Sequence, residues 1–341
     1  MKRSKLMMLA SMAVLLAAGC GKDEETAQTA NSPANSEATT GKKLAKITEF
    51  YYYKSEGFGT DGWCTGARMQ WSGNNLASIT PYEYEHGAPV DEGQQVYTYT
   101  GNRLTEMRST YGECYFTYTD DRLTEVYSTR ENSWERQLLT YSADGLLTTI
   151  TTTNSYENST SETRLTWSGG NVSAIQEYRD GEWVSTTSFT YDSKKSPYTS
   201  LFALQSNEYE LLSANNVLRA EKTDASSTET TTRTYTYNGD YPVKCIETEG
   251  SEWEDHYTET TTYLEYSDGA GSEVSVPQAY SIDTPQGDEV VLGGGTYASG
   301  KTAILSVPDY GFTFSRWSDG NTDNPRSITV NRNMSLTAIF E

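Results

Sequence analysis

The chain has 341 residues, a formal charge of −21 and an apolar content of only 35%. Such a surface repels nucleic acid and offers no basic patch to anionic lipid, so nucleic-acid partners are excluded and membrane association needs another device. The 26 tyrosines and many threonines favour strands, and the low apolar content suits a thin or curled sheet better than one large core.

The first segment, MKRSKLMMLASMAVLLAAGC, joins Lys2, Arg3 and Lys5 to an apolar run from Leu6 to Ala18. These are the parts of a secretory signal, and the run is too short for a spanning helix. Leu16-Ala17-Ala18-Gly19-Cys20 resembles the bacterial lipobox. The resemblance implies that residues 1–19 are removed, taking the formal charge from −21 to −24. It further implies that Cys20 is acylated on its thiol and its new amino group, which anchors the protein in outer-membrane lipid. Residues 20–43 read as a disordered tether, because 21–41 hold no large apolar side chain to offset ordering entropy. Lys22-Asp23-Glu24-Glu25 is similar to the acidic export signal of surface-exposed lipoproteins in Bacteroidota, which implies display outside the cell; otherwise the anchor faces the periplasm.

From residue 44 to 270 an aromatic residue, a polar turn and a short strand recur. The copies are Trp71 in WSGNNLASI, Tyr99 in YTGNRLTEM, Tyr118 in YTDDRLTEV, Tyr141 in YSADGLLTTI, Trp167 in WSGGNVSAI and Tyr237 in YNGDYPVKCI. Their central pairs tolerate positive φ, so each copy reads as a hairpin. Leu104-Thr105-Glu106-Met107 and Leu123-Thr124-Glu125-Val126 suggest strands with one drier and one wetter face. Second turns fall between the members of this set, giving an antiparallel meander with two turn-rich rims. One short helix is expected near residues 198–213, where SLFALQSNEYELL follows Ser196-Pro197 and would cap one end of the sheet. The expected fold is thus all-β, an antiparallel meander of repeated hairpins, curled or barrel-like.

These copies resemble the tyrosine-aspartate repeats of the Rhs family, and their order resembles a Bacteroidota lipoprotein domain described as porin-like in fold. FTYDSKKSPY (189–198), LLSANNV (211–217) and YNGDYPVK (237–244) fit the same domain. The copies are too few for a toxin-enclosing shell, and they lack the outward apolar band of a membrane barrel. Residues 278–341 resemble the divergent internalin-type B repeat: Gly294, Tyr297-Ala298-Ser299-Gly300, Ala303 to Pro308, Gly311 to Phe314, Trp317 and Ala338-Ile339-Phe340 carry the likeness. The resemblance implies a small β-rich module serving as a spacer or adhesion unit. Phe312, Phe314, Trp317 and Phe340 are its expected aromatic core.

Chemistry is sparse. His86 and His256 are the only histidines, both expected at the surface, and no nucleophile, phosphate-loop or metal motif is present. No catalytic residue and no cofactor is expected. Carboxylates such as Glu83 and Glu85, on one side of a strand, are too abundant to mark a glycosidase. Asp319, Asn321 and Asp323 are a weak calcium candidate, since position twelve of that loop is Val330 and a structural turn explains it better. Cys64, Cys114 and Cys245 allow at most one disulfide, of unassigned pairing, or three buried thiols. Trp63, Trp134 and Trp183 precede Trp71, Tyr141 and Tyr191 by 8, 7 and 8 residues, with Trp253 a looser fourth. They form either a ligand-stacking row along one rim or braces within individual hairpins. The expected function is non-catalytic recognition of a glycan or surface protein. The alternatives are a structural or assembly component of the outer envelope and, further off, a glycan hydrolase.

Overall fold

The computed structural model describes residues 18–19, 36–37 and 42–341 apart from 56–58, 86–87, 158, 199–207, 251–255, 270–273, 288–289, 309–310 and 312. Cys20, Lys22 to Glu25, His86, Trp253 and Phe312 therefore lie outside the described residues.

Residues 44–266 form a closed antiparallel barrel of sixteen strands. In chain order these are β1 (Leu44–Ser55), β2 (Gly59–Ser72), β3 (Asn75–Glu85), the interrupted strand β4 (Ala88–Asp91) and β5 (Gln95–Thr100), β6 (Arg103–Ser109), β7 (Gly112–Thr119), β8 (Arg122–Arg130), β9 (Ser133–Tyr141) and β10 (Leu147–Asn154). They continue as β11 (Thr160–Ser168), β12 (Asn171–Arg179), β13 (Glu182–Lys195), β14 (Asn215–Asp224), β15 (Thr228–Asn238), β16 (Tyr241–Gly250) and β17 (His256–Tyr266). Each pairs with its sequence neighbours, and β17 closes on β1 from His256↔Ser55 to Tyr266↔Leu44. Closure removes both sheet edges.

The repeats explain themselves in the hairpins. Turns such as Asp120-Asp121 (φ 48° and 67°) and Gly169-Gly170 (59° and 81°) use two positive-φ residues, as tight antiparallel turns require. Immediately beside each repeat aromatic the register slips by one residue, at Gln70/Trp71, Thr98/Tyr99, Thr140/Tyr141, Thr166/Trp167 and Thr236/Tyr237. The residue left over is Thr105, Thr124, Thr148 or Ser173 in four copies. Its hydroxyl donates to the carbonyl of the residue before the aromatic: Thr98, Thr117, Thr140 and Thr166, at 3.1–3.2 Å. The hydroxyl thus takes up a carbonyl beside a locally disrupted ladder.

These bulges correct the reading of the strands as simply alternating. Buried residues lie three apart: Leu76 and Ile79, Leu104 and Met107, Leu123 and Val126, Leu147 and Ile150, Val172 and Ile175. The bulge inserts one residue between them, so Leu104 and Met107 both face inward. All ten belong to one apolar cluster, with Trp71, Tyr99, Tyr118, Tyr141 and Trp167 packed against it. The aromatics then link one hairpin to the preceding strand. Trp71 Nε1 donates to the Leu44 carbonyl (2.8 Å), Tyr141 to Leu123 (2.7 Å), Trp167 to Leu147 (2.7 Å), Tyr191 to Val172 (2.6 Å) and Tyr266 to Pro242 (2.7 Å). Tyr141→Phe keeps the ring and removes one rung; it is expected to cost about 1 kcal/mol, read by urea unfolding.

The outer wall is polar. Exposed positions carry ion pairs such as Arg136–Glu125 (2.9 Å) and Arg219–Glu221 (2.7 Å), an arrangement opposite to the lipid-facing band of a membrane barrel. The expected helix differs as well. Among the described residues of 198–213 there is only a 3₁₀ turn, Tyr209–Leu212, with Tyr209 buried in the apolar cluster. Cys64, Cys114 and Cys245 are buried free thiols, and burial pushes Cys245 up to about 12.

The C-terminal part comprises β18 (Ala279–Asp283), β19 (Gly295–Ala298), β20 (Thr302–Leu305), β21 (Phe314–Trp317), β22 (Arg326–Thr329), β23 (Met334–Ser335) and β24 (Ala338–Phe340). Trp317 is fully buried at its centre and donates to the Asp323 carbonyl (2.8 Å), while Phe314 and Phe340 pack at its margin. This part docks on the barrel wall. Gly295 pairs with Gly62 of β2, Tyr297 Oη donates to the Thr60 carbonyl (2.9 Å), and Lys301 meets Glu259 (2.8 Å) over the Tyr52 ring. Gly62 is required there, because a Cβ would lie 2.5 Å from the Tyr297 ring.

Candidate ligand-binding site

Alternate residues of β1, β2 and β17 point into the barrel, as the period-two geometry of strands dictates. Register therefore stacks Glu49, Tyr51 and Tyr53 of β1 against Thr65, Trp63 and Asp61 of β2 and against Thr262, Thr260 and Thr258 of β17. Together with β15, β16, residues 196–198 and Glu208, Glu210 and Leu211, they surround a cavity of about 1250 Å³. Ser281 to Pro285 and Gly294 to Thr296 of the C-terminal part complete its wall. The volume exceeds the roughly 300–1,000 Å³ of ordinary small-molecule sites.

Its chemistry is acidic and aromatic. Nine carboxylate side chains and one basic one, Arg233, are among the lining residues. Arg233 is already engaged, with Nε 2.6 Å from Glu247 and a terminal nitrogen 3.7 Å from Glu210. Burial works against its charge, and Glu247 and Glu210 outweigh burial. Glu49 is 7% exposed and accepts from Thr262 and Tyr51, both at 3.2 Å. Desolvation nevertheless pushes its carboxyl up to about 7. Glu208 is pushed up to about 8 by burial, with Glu210 and Glu49 adding repulsion. Beside them Tyr51 and Trp63 stack with centroids 5.0 Å apart and planes 10° from parallel.

The residues singled out in the sequence fall in different places. Trp63, Glu83 and Glu85 line the cavity. Trp134 and Trp183 are exposed at 39% and 43%; Trp134 stacks on Tyr127 across its own hairpin (6.3 Å), and Trp183 donates to Thr186 (3.0 Å). The structure thus does not bring Trp63 together with these two on one platform. In the calcium candidate, both Asp319 oxygens accept from Arg326 (2.8 and 2.7 Å), and Asn321 closes the turn with Asp323. Arg326 holds the Asp319 carboxyl below its usual range. Among the described residues no group of three or more His, Cys, Asp and Glu is placed to hold a metal. Glu49, Tyr51, Glu208, Glu210, Arg233 and Glu247 were not distinguished in the sequence. The usable signal was the alternation Glu49-Tyr51-Tyr53 facing Thr258-Thr260-Thr262, visible only once β1 is known to pair with β17.

Residues 280–341 match the divergent InlB B-repeat domain. The match confirms the expectation for the C-terminal module, whose strands dock on the barrel rather than standing clear of it. Among solved structures, the chain is similar to a porin-like protein from Bacteroides uniformis ATCC 8492, at 16% identity and a TM-score of 0.47, over 65% of this chain and 96% of that one. It is also similar to a porin-like protein from Bacteroides vulgatus ATCC 8482, at 9% identity and a TM-score of 0.42, over 66% and 99%. No match to a curated relative was found.

Proposed function

We propose that this chain is a non-catalytic recognition protein of the bacterial envelope, held in outer-membrane lipid through Cys20, exported to the cell surface by Lys22 to Glu25, and binding a glycan in the barrel cavity. The observation that carries this reading is the stacked Tyr51–Trp63 pair in a cavity whose lining combines carboxylates and hydroxyls with further tyrosines and aliphatic side chains. Aromatic faces suit the apolar faces of sugar rings, and surrounding acceptors and donors suit their hydroxyls. A surface anchor multiplies weak contacts through avidity.

An assembly role through strand addition is disfavoured by closure, since β1 and β17 occupy each other's free edges. The reading is tested by screening the purified chain on a glycan array with Trp63→Ala and with Trp134→Ala plus Trp183→Ala. Capture of a glycan by the native protein, lost in Trp63→Ala and kept in the double variant, is the expected result. Capture that depends on Trp134 and Trp183 instead would move the site to the outer wall. Release of shortened glycan would overturn the non-catalytic reading.

A further inference from the structure

We propose that the cavity selects a glycan bearing a free primary ammonium, an amino sugar that is not N-acylated, with the ammonium between Glu49 and Glu208 and the sugar ring against Tyr51 and Trp63. The inference rests on the reading of the cavity as a glycan site and narrows it to one chemical class.

Charge is the first ground. Arg233 is the only basic side chain among the lining residues, and Glu247 and Glu210 hold it. Glu49 and Glu208 both line the cavity, burial raises both carboxyls, and Glu49 adds to the rise at Glu208. A ligand cation entering between them offsets both penalties, because an opposite charge favours the ionised form of a buried carboxyl. A uronic or sulfated glycan adds to the repulsion, and an N-acetylated one supplies no charge.

A second, independent ground is Thr65. It is 5% exposed, and its Oγ1 has no hydrogen-bond partner. Register places it directly between Glu49 of β1 and Glu83 of β3, both of which line the cavity, so its side chain lies on the same face of the sheet. A buried hydroxyl without a partner is costly, and an ammonium N–H or sugar hydroxyl beside Glu49 satisfies it. The third ground is the aromatic pair. Tyr51 and Trp63, stacked on one another, both line the cavity with the carboxylates, and aromatic side chains attract both a sugar ring and an adjacent cation.

Isothermal titration of the full chain at neutral pH tests this with a glucosamine tetrasaccharide, its fully N-acetylated counterpart and spermidine. The free-amine tetrasaccharide is expected to bind about tenfold or more tighter than the other two. Glu49→Gln, Thr65→Val and Trp63→Ala are each expected to weaken it, Trp134→Ala to leave it unchanged. Thr65→Val is nearly isosteric and removes a buried hydroxyl lacking a partner, so its loss of affinity is not a loss of folding. Equal binding of the N-acetylated sugar overturns the ammonium inference and leaves the glycan site standing. Equal binding of spermidine overturns the sugar part. Binding of neither sugar overturns both readings.

Discussion

Glu49→Gln is expected to stabilise the barrel by roughly 3 kcal/mol above about pH 8 and to leave its stability nearly unchanged below about pH 4. Burial raises the Glu49 carboxyl from an ordinary 4.5 to about 7 in the folded protein. Between those two values the folded state keeps a proton that the unfolded chain has lost, so stability falls as pH rises through that window and levels off above it. The contribution is fully present below the unfolded value and lost above the folded one, the reverse of a salt-bridged carboxylate. Glutamine cannot ionise, so the variant lacks the decline. It still presents an oxygen to Thr262 or Tyr51, which now donate to the carboxylate. Glu208, raised to about 8 by burial and by Glu210 and Glu49, extends the same decline upward. Urea unfolding of both proteins across the pH range reads the difference directly. A variant that differs by the same amount at every pH would mean that Glu49 is not protonated in the folded state. The physical cause of this weakness is the cavity itself: buried carboxylates line it with only one guanidinium among its walls, an arrangement that favours ligand charge over stability.

The hairpins were legible because their turns are local. Gly73, Asp120-Asp121 and Gly169-Gly170 announce themselves by residue type, and the structure gives them the positive φ those types permit. The C-terminal module was legible because its glycines and aromatics keep a fixed order around Trp317. The strand faces were not. Thr105 and Thr124 read as ordinary wet positions, whereas their hydroxyls serve bulges that shift the inward set from every second residue to every third. A one-residue shift changes which side chains face the core, so the inward Glu49 and Glu247 could not be told from the outward Glu125 and Glu221. Closure was equally hidden, since the pairing of Leu44–Ser55 with His256–Tyr266 joins the ends of the meander and leaves no local trace. Trp63 was found by its spacing, but its stacking partner Tyr51, across the β1–β2 hairpin, was not, and the threonines opposite Tyr51 come from the strand that closure brings alongside.

Gly295→Ala is expected to detach the C-terminal module from the barrel while Gly300→Ala leaves it docked. Gly295 has φ 131°, a conformation that side chains resist, and a Cβ there would lie 2.0 Å from the Gly62 carbonyl oxygen. Gly62 cannot yield toward the module, because its own Cα sits beneath the Tyr297 ring, which is held by the Thr60 and Gly293 carbonyls. Backbone therefore meets backbone, and the contact that gives way is the Gly295–Gly62 bridge. Gly300 also has positive φ, 85°, but open space surrounds its Cβ position. Its substitution carries the conformational cost alone, on the order of 1 kcal/mol. The comparison separates strain from steric exclusion. Limited proteolysis reads it, with the Gly295→Ala module expected to be cut free from an intact barrel and the Gly300→Ala module protected. Protection of both would place the docking energy in Lys301–Glu259 and the Phe50, Cys64, Tyr263 and Ala279 cluster rather than in the glycine contact. Detachment has a consequence inside the barrel as well. Ser281 to Pro285 and Gly294 to Thr296 form part of the cavity wall, so undocking relieves part of the burial that raises Glu49 and Glu208 and lowers both carboxyls toward their ordinary range. The Glu49→Gln gain measured in the Gly295→Ala background is accordingly expected to shrink, because less of the desolvation that raises Glu49 would remain.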